Sequence, residues 1–397
     1  MDHAEWKKHA EKIADYLQKA ERDTKMIHPV VGIVGFGSRG MDHVLMWEGL
    51  PHQEIVIADV KPQPRRIAEE RGYRTFATVA DMLDEVKVDL GIVATHAPTH
   101  ARTALSFLSE NVPVICEKPM QSIALTLRDA FMMAQNAQAN NTLLAIHHQW
   151  VFTDAVYKAE EMISDGVIGE VKSLRAQGKG YPAPYDWEEI GPHLADICIH
   201  FAGEPTCVFG SVTENGVPVL RDDIKQINAY YPEGRMAGIG AGDRIFAQYE
   251  FQNGIWATIE STTLPVLPKS YSQFMFVDIY GTMGRLRIYQ TSCGRLFHNT
   301  SPYDDFDHIN GWKEVPGVWS PDPHWVEPTR RVALDMLAAI GEGRQPRVNG
   351  ERGLLVQHML HGAYAAHFAG GRLSLPLASA ESPEYPFTSP LLDSAGV

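Results

Sequence analysis

Val30-Val31-Gly32-Ile33-Val34-Gly35-Phe36-Gly37-Ser38-Arg39-Gly40 is the stretch that decides the fold. A short β-branched apolar run ends in Gly-x-Gly-x-x-Gly and passes into a helix-like segment (Met41, Val44, Leu45). That order suits a dinucleotide's phosphates. Gly35 allows the tight turn, Gly37 lets the backbone approach a pyrophosphate, and Gly40 lets the helix pack on the strand with its free N–H groups aimed at the anion. Phe36, Ser38 and Arg39 complete this cradle. A glycine-rich turn alone need not bind anything, so the next strand matters. Ile55-Val56-Ile57-Ala58 ends in Asp59, where a carboxylate can hold an adenosine ribose 2′-OH. Asp59 favours NAD over NADP, because it would repel a 2′-phosphate, while Arg65 and Arg66 nearby act against that preference.

From Val30 to Gln149 strands and helices alternate. Strands are expected at Val30–Val34, Ile55–Ala58, Tyr73–Phe76, Leu90–Ala94, Val114–Cys116 and Leu143–Ile146. Strands apolar on both faces and separated by helices imply a parallel doubly wound sheet. Ligands in such sheets sit at the carboxyl ends of strands. One rim therefore gathers Gly35, Asp59, Thr95-His96, His100, Glu117-Lys118 and His147-His148 as cofactor and substrate candidates.

Beyond Gln149 the texture changes. A helix at Asp154–Ser164 and a strand at Val171–Gln177 precede a Gly/Pro/Tyr-rich loop from Gly178 to Asp186. Period-two alternation follows at Ile245–Tyr249, Ile255–Ile259 and Phe274–Tyr280, with a further strand at Arg285–Tyr289. The expectation is an α+β second domain with a large open, mostly antiparallel sheet, whose bare face a second subunit would cover. Residues 301–328 form a long irregular stretch with Trp312, Trp319 and Trp325, and two helices near 329–340 and 353–368 close the fold. Overall, residues 1–27 read as an added amphipathic helix (Trp6, Ala10, Ile13, Leu17, Ala20), 28–149 as the Rossmann domain, 150–378 as the substrate and oligomerisation domain, and 379–397 as a tail.

Bulk properties agree. At 397 residues the chain exceeds one ordinary core, and 44% apolar with 21% charged residues suits a globular protein. A net charge of −14 argues against nucleic acid and acidic membrane surfaces. Four scattered cysteines (Cys116, Cys198, Cys207, Cys293) read as reduced thiols in a cytoplasmic protein. No signal-peptide pattern or membrane-length apolar run is visible.

Three constellations carry chemistry. Lys118, in Glu117-Lys118-Pro119 after a buried strand, can hydrogen-bond a substrate hydroxyl and favour its ionisation. His193, Asp196 and His200 share a helix face at i, i+3 and i+7, which suits an acid/base face, a metal site or a structural polar network. His147, His148 and Trp150 either reach substrate or pack at the domain junction; Arg175, Lys179, Tyr181 and Tyr185 are candidate hydroxyl or anion contacts. His358, His361 and His367 read as structural.

Together these motifs resemble the glucose-fructose oxidoreductase / inositol dehydrogenase / rhizopine catabolism protein (Gfo/Idh/MocA) family over residues 28–375. The resemblance rests on Gly35–Gly40, Asp59, Glu117-Lys118-Pro119, Asp196-x-x-x-His200, the Gly166-x-x-Gly169 turn and Gly281-Thr282-x-Gly284, in that order. It implies a Rossmann domain, an α/β domain with an open sheet, dimers or tetramers through that sheet, and hydride transfer with a carbohydrate or polyol. It also implies that Lys118 contacts the reacting hydroxyl while Asp196 and His200 form the acid/base pair. Two departures stand out: Cys198 where many members have glycine, and Gly191-Pro192-His193 where many have a Gly-Gly pair. Two activities fit: an NAD-dependent dehydrogenase of a sugar, sugar derivative or cyclitol, and an NAD-dependent glycoside hydrolase or lyase that oxidises C3 transiently, eliminates, hydrates and reduces again. A non-catalytic NAD-binding regulator is disfavoured because Lys118, Asp196 and His200 are all present.

Overall fold

The computed structural model describes residues 28–122, 127–178, 182–227, 238–264, 275–289, 294–303, 311–318 and 326–377. The N-terminal amphipathic segment, Lys179, Tyr181, Cys293, Trp319, Trp325 and the tail beyond 377 lie outside them. Contacts divide the chain into two compact units. The first holds residues 1–117, 132–152 and 320–350, and the second holds 118–131, 153–319 and 351–397.

The first unit is built on six strands: β1 (Val30–Val34), β2 (Glu54–Ala58), β3 (Arg74–Phe76), β4 (Leu90–Val93), β5 (Val114–Cys116) and β6 (Leu144–Ile146). They form one sheet in the order β3-β2-β1-β4-β5-β6. Every neighbouring pair is parallel, with Val31 of β1 opposite both Ile55 and Leu90. Strands β1 and β4 to β6 are buried throughout, as doubly covered strands must be. The strand order reverses between β1 and β4, the switch point at which parallel sheets take ligands. Helix α1 (Ser38–Glu48) follows β1 directly. The helix Val326–Glu342, far away in sequence, packs on α1 and on the turn Gln149–Phe152, where Arg331 Nη1 donates to the Phe152 carbonyl at 2.8 Å.

The second unit is a ten-stranded mixed sheet. Its centre is Val171–Gln177, parallel to Trp256–Thr262 and antiparallel to Phe276–Gly281. Alternation is regular: in Arg244–Phe251, Ile245, Ala247, Tyr249 and Phe251 are buried while the residues between them are not. The helices Ala183–Glu189 and Gly191–Ala202 pack on this sheet. Five strands that hydropathy does not predict also belong to it: Pro205–Glu214, Arg295–Asn299 and the two-residue Val217–Pro218, Lys313–Glu314 and Leu373–Ser374. The loop expected over 178–186 becomes helical from Ala183, because Pro182 and Pro184 sit at a helix start, where proline is tolerated, rather than inside a helix. The last helix, Gly350–Ala369, is locked by buried aromatics: Trp187 Nε1 donates to the Leu360 carbonyl (3.2 Å) and Tyr249 Oη to the Met359 carbonyl (2.9 Å).

Several histidines are buried without the charge that water would give them. Burial pushes His361 down to about 3 and His358 to about 4, and His147 of the first unit to about 3. The folded state therefore resists protonation while the unfolded chain takes up protons below about pH 6.5. Stability should fall as pH drops from about 6.5 toward 4, by about 1.4 kcal/mol per pH unit for each such ring. Denaturant unfolding from pH 7 to 4.5 checks this. His361→Gln should flatten the slope by about one proton's share; an unchanged slope contradicts the neutral, buried ring.

Candidate active site

The glycine turn can be taken apart sterically. A Cβ on Gly35, whose φ is +93°, would lie 2.6 Å from the Ala94 carbonyl oxygen, and one on Gly40 would lie 1.9 Å from the Gly35 oxygen. Both glycines are required by the protein itself. Gly37 is different. It is exposed, a Cβ there meets nothing within 4 Å, and it precedes α1 with no side chain capping the helix. Open space above uncapped N–H groups at a helix start fits an anionic ligand. Ser38 is exposed beside it, while Phe36 is buried and its N–H donates to Asp59 Oδ2 at 2.8 Å. Asp59 thus stands at the turn, at the carboxyl end of β2, as a ribose diol requires. Arg65 Nη1 donates to the Asp59 carbonyl at 2.6 Å, so this cation stands beside Asp59.

At the carboxyl end of β5, Glu117 is an anion hub. Its Oε1 accepts from Arg39 Nε (3.1 Å) and Nη2 (2.9 Å), lies 3.0 Å from His43 Nε2 and is 3.3 Å from His147 Nδ1. Burial would raise this carboxyl, but Arg39, His147 and His43 together hold it well below the usual carboxylate range. His43, Glu117 and His147 also have metal-ligand spacing. The Arg39 guanidinium on the same oxygen would repel a cation, so the cluster reads as an ion-pair hub. Arg39 and His43 are one helical turn apart on α1, and the hub therefore ties the turn and α1 to β5 and β6. Thr95, His96 and His100 close the end of β4, with His100 Nε2 at 3.1 Å from the Thr95 carbonyl and His96 exposed. His148 and Trp150 are buried in the first unit.

Lys118, Asp196 and His200 all belong to the second unit, each beside a partner distant in sequence. Lys118 Nζ donates to Glu189 Oε2 (2.7 Å) and to the Glu189 carbonyl (3.1 Å). Asp196 Oδ1 accepts from Arg352 Nε (2.5 Å), and the Asp196 carbonyl accepts from Arg352 Nη2 (2.8 Å). Asp196 Oδ2 is buried with no hydrogen-bond partner among the described residues. His200 Nε2 is hydrogen-bonded to Glu160 of the helix Asp154–Ser164. It lies in the last turn of Gly191–Ala202. His193 is buried in the first turn of that helix. Arg175 does not join this group. It is exposed between buried Leu174 and Ala176, 5.9 Å from the Phe276 ring on the sheet's open face.

Sequence patterns miss Glu160, Glu188, Glu189, Arg352 and His43. His43 carried a signal, four residues after Arg39 on a helix. The others become partners only through long-range packing. Glu188 is buried, accepts from Ser122 Oγ at 2.5 Å, and is pushed up to about 7 by burial.

Residues 30–148 match the profile of the Gfo/Idh/MocA oxidoreductase family's NAD-binding Rossmann fold, and residues 160–375 match that of its C-terminal alpha/beta domain. The chain belongs to this oxidoreductase family. It is 22% identical to D-apiose dehydrogenase of Paraburkholderia graminis, over 90% of this chain and 92% of that protein. It is 24% identical to 2,7-anhydro-N-acetylneuraminate hydratase of Escherichia coli, over 69% of this chain and 74% of that protein. Among solved structures it is similar in fold to levoglucosan dehydrogenase in complex with NADH and levoglucosan, with a TM-score of 0.69 and 20% identity, over 87% of this chain and 99% of that one. No described helix of this oxidoreductase is long and apolar enough to cross a membrane.

The glycine dissection separates ligand from scaffold. Gly37→Ala should leave the thermal midpoint near wild type and weaken NAD binding about tenfold or more, a loss of about 1.4 kcal/mol. Gly40→Ala should instead destabilise the fold by about 1–3 kcal/mol through overpacking. Thermal melts and calorimetric NAD titrations distinguish the two; equal behaviour contradicts the assignment.

Proposed function

We propose that this oxidoreductase transfers a hydride between NAD and a hydroxyl-bearing carbon of a sugar, sugar derivative or cyclitol. The observation that carries this reading is the trio in the second unit, a cation, a carboxylate and a histidine, each held by a partner of its own. Lys118 donates a hydrogen bond to the reacting hydroxyl oxygen and stabilises the developing oxyanion. His200 takes the hydroxyl proton, and the Glu160 carboxylate on Nε2 stabilises the imidazolium formed. Asp196, oriented by Arg352, offers its buried Oδ2 as acceptor to a neighbouring substrate hydroxyl. His193 adds a polar group to the same helix face. NAD, when bound, supplies the hydride acceptor. Asp59 at the turn supports NAD rather than NADP. The named relatives, a D-apiose dehydrogenase and a levoglucosan dehydrogenase, support a carbohydrate substrate.

A second reading, redox-neutral cleavage or hydration of a glycoside or anhydro-sugar, is favoured by the hydratase relative and by Glu188. A buried carboxyl that ionises near 7 can take up and return a proton at neutral pH. Under either reading we assign the open sheet face, with Phe209 and Trp256 exposed, to a second copy of the chain. The reduced thiols of Cys116, Cys198 and Cys207 support a cytoplasmic location.

The deciding experiment incubates the protein with NAD and a panel of free sugars, cyclitols and glycosides. Stoichiometric growth of NADH is the expected result; cleavage or hydration of an acceptor without net NADH would replace the first reading by the second. His200→Ala should cost about 10²- to 10⁴-fold in turnover with NAD affinity retained. Near-normal turnover removes His200 from the acid/base role.

A further inference from the structure

Lys118 and Ser122 stand four residues apart in one short loop, and both are fastened to the carboxyl end of the helix Ala183–Glu189. Lys118 Nζ bonds Glu189 twice, through the carboxylate at 2.7 Å and the main-chain carbonyl at 3.1 Å. Ser122 Oγ donates to Glu188 Oε1 at 2.5 Å. Consecutive glutamates thus hold Lys118 and Ser122 to one helix; Ser122 and Glu188 are buried, and Lys118 and Glu189 are each only 15% exposed.

An ammonium group has three N–H donors. Two are taken by one residue whose carbonyl belongs to the negative end of a helix. The third can point only where tetrahedral geometry leaves it. A free lysine side chain carries about 2 kcal/mol of rotamer entropy and would spread its donor over many directions. Here the direction is set by the protein before any substrate arrives. Such preorganisation counts for most when a developing oxyanion must meet a donor already in place.

We propose that Glu189 is the positioning residue of Lys118: it aims the remaining N–H of the ammonium at the reacting hydroxyl, with Glu188 holding Ser122 four residues on. Glu189 touches neither substrate nor cofactor in this role. The proposal rests on the reading of Lys118 as the group that contacts the reacting hydroxyl.

The test is a double-mutant cycle with Glu189→Gln and Lys118→Ala, using the sugar turned over fastest in the panel. Glutamine keeps the size and one acceptor but removes the charge that holds the ammonium. Glu189→Gln should lower kcat about 10- to 100-fold, the cost of a misplaced catalytic group. KM and the NAD dissociation constant should stay near wild type. In the Lys118→Ala background the same substitution should have almost no further effect. Additive losses, or an unaltered kcat in Glu189→Gln, overturn the proposal. Normal turnover in Lys118→Ala instead overturns the underlying reading of Lys118. A crystal structure of Glu189→Ala provides an arm that needs no substrate: Lys118 Nζ should leave the residue-189 carbonyl, and an ammonium still bonded there contradicts the positioning role.

Discussion

One buried carboxylate organises the first unit. Glu117 binds Arg39 from the glycine turn and His43 from the helix that follows it, and lies 3.3 Å from His147 at the end of the last parallel strand. A carboxylate taken out of water is costly unless paired, and here several donors converge on a single oxygen. Removing such a partner typically costs about 3–5 kcal/mol, because a charge is left uncompensated. The turn that fits a dinucleotide is thus held from below by an ion-pair hub, while its upper side, at Gly37, stays open.

The next residue belongs to the other unit. The division of the chain falls between Glu117 and Lys118, and Lys118 pairs with Glu189 as Glu117 pairs with Arg39. The same design recurs on the helix Gly191–Ala202. Asp196 is oriented by Arg352 and His200 by Glu160, so each proposed reacting group has a partner that limits its directions. Glu188 is the exception in charge: burial favours its neutral form up to about pH 7. Its contribution to stability is therefore full at low pH and declines between the ordinary carboxylate range and about 7, opposite in sign to that of the buried histidines.

Most of the architecture was legible because it depends on local rules. The Val30–Gly40 run combines β-branched residues, which form a strand, with glycines that the turn cannot do without, and both features are readable without a structure. Period-two alternation likewise revealed Arg244–Phe251 and Trp256–Thr262. Pro205–Glu214 was hidden because proline and glycine interrupt its pattern, and Ala183–Glu189 because its prolines resemble a loop until their position at a helix start is known. Of the proposed site, Lys118, Asp196 and His200 are legible in the sequence, but their partners are not. Arg352 lies 156 positions from Asp196, and Glu189 lies 71 from Lys118. Pairings at that separation are products of tertiary packing, which no local periodicity encodes. Arg175 shows the opposite limit: strand alternation put it on a face, but only the packed sheet revealed that this is the open one, beside Phe276.

In the function proposed above, the glycine turn and Asp59 select NAD over NADP. Isothermal titration of the full-length protein with NAD and, separately, with NADP tests it most directly. Saturable binding of one NAD per chain is expected, with NADP weaker by about 100-fold, about 2.7 kcal/mol, from charge repulsion at Asp59. Equal affinity for the two, tighter binding of NADP, or no binding of either would contradict it.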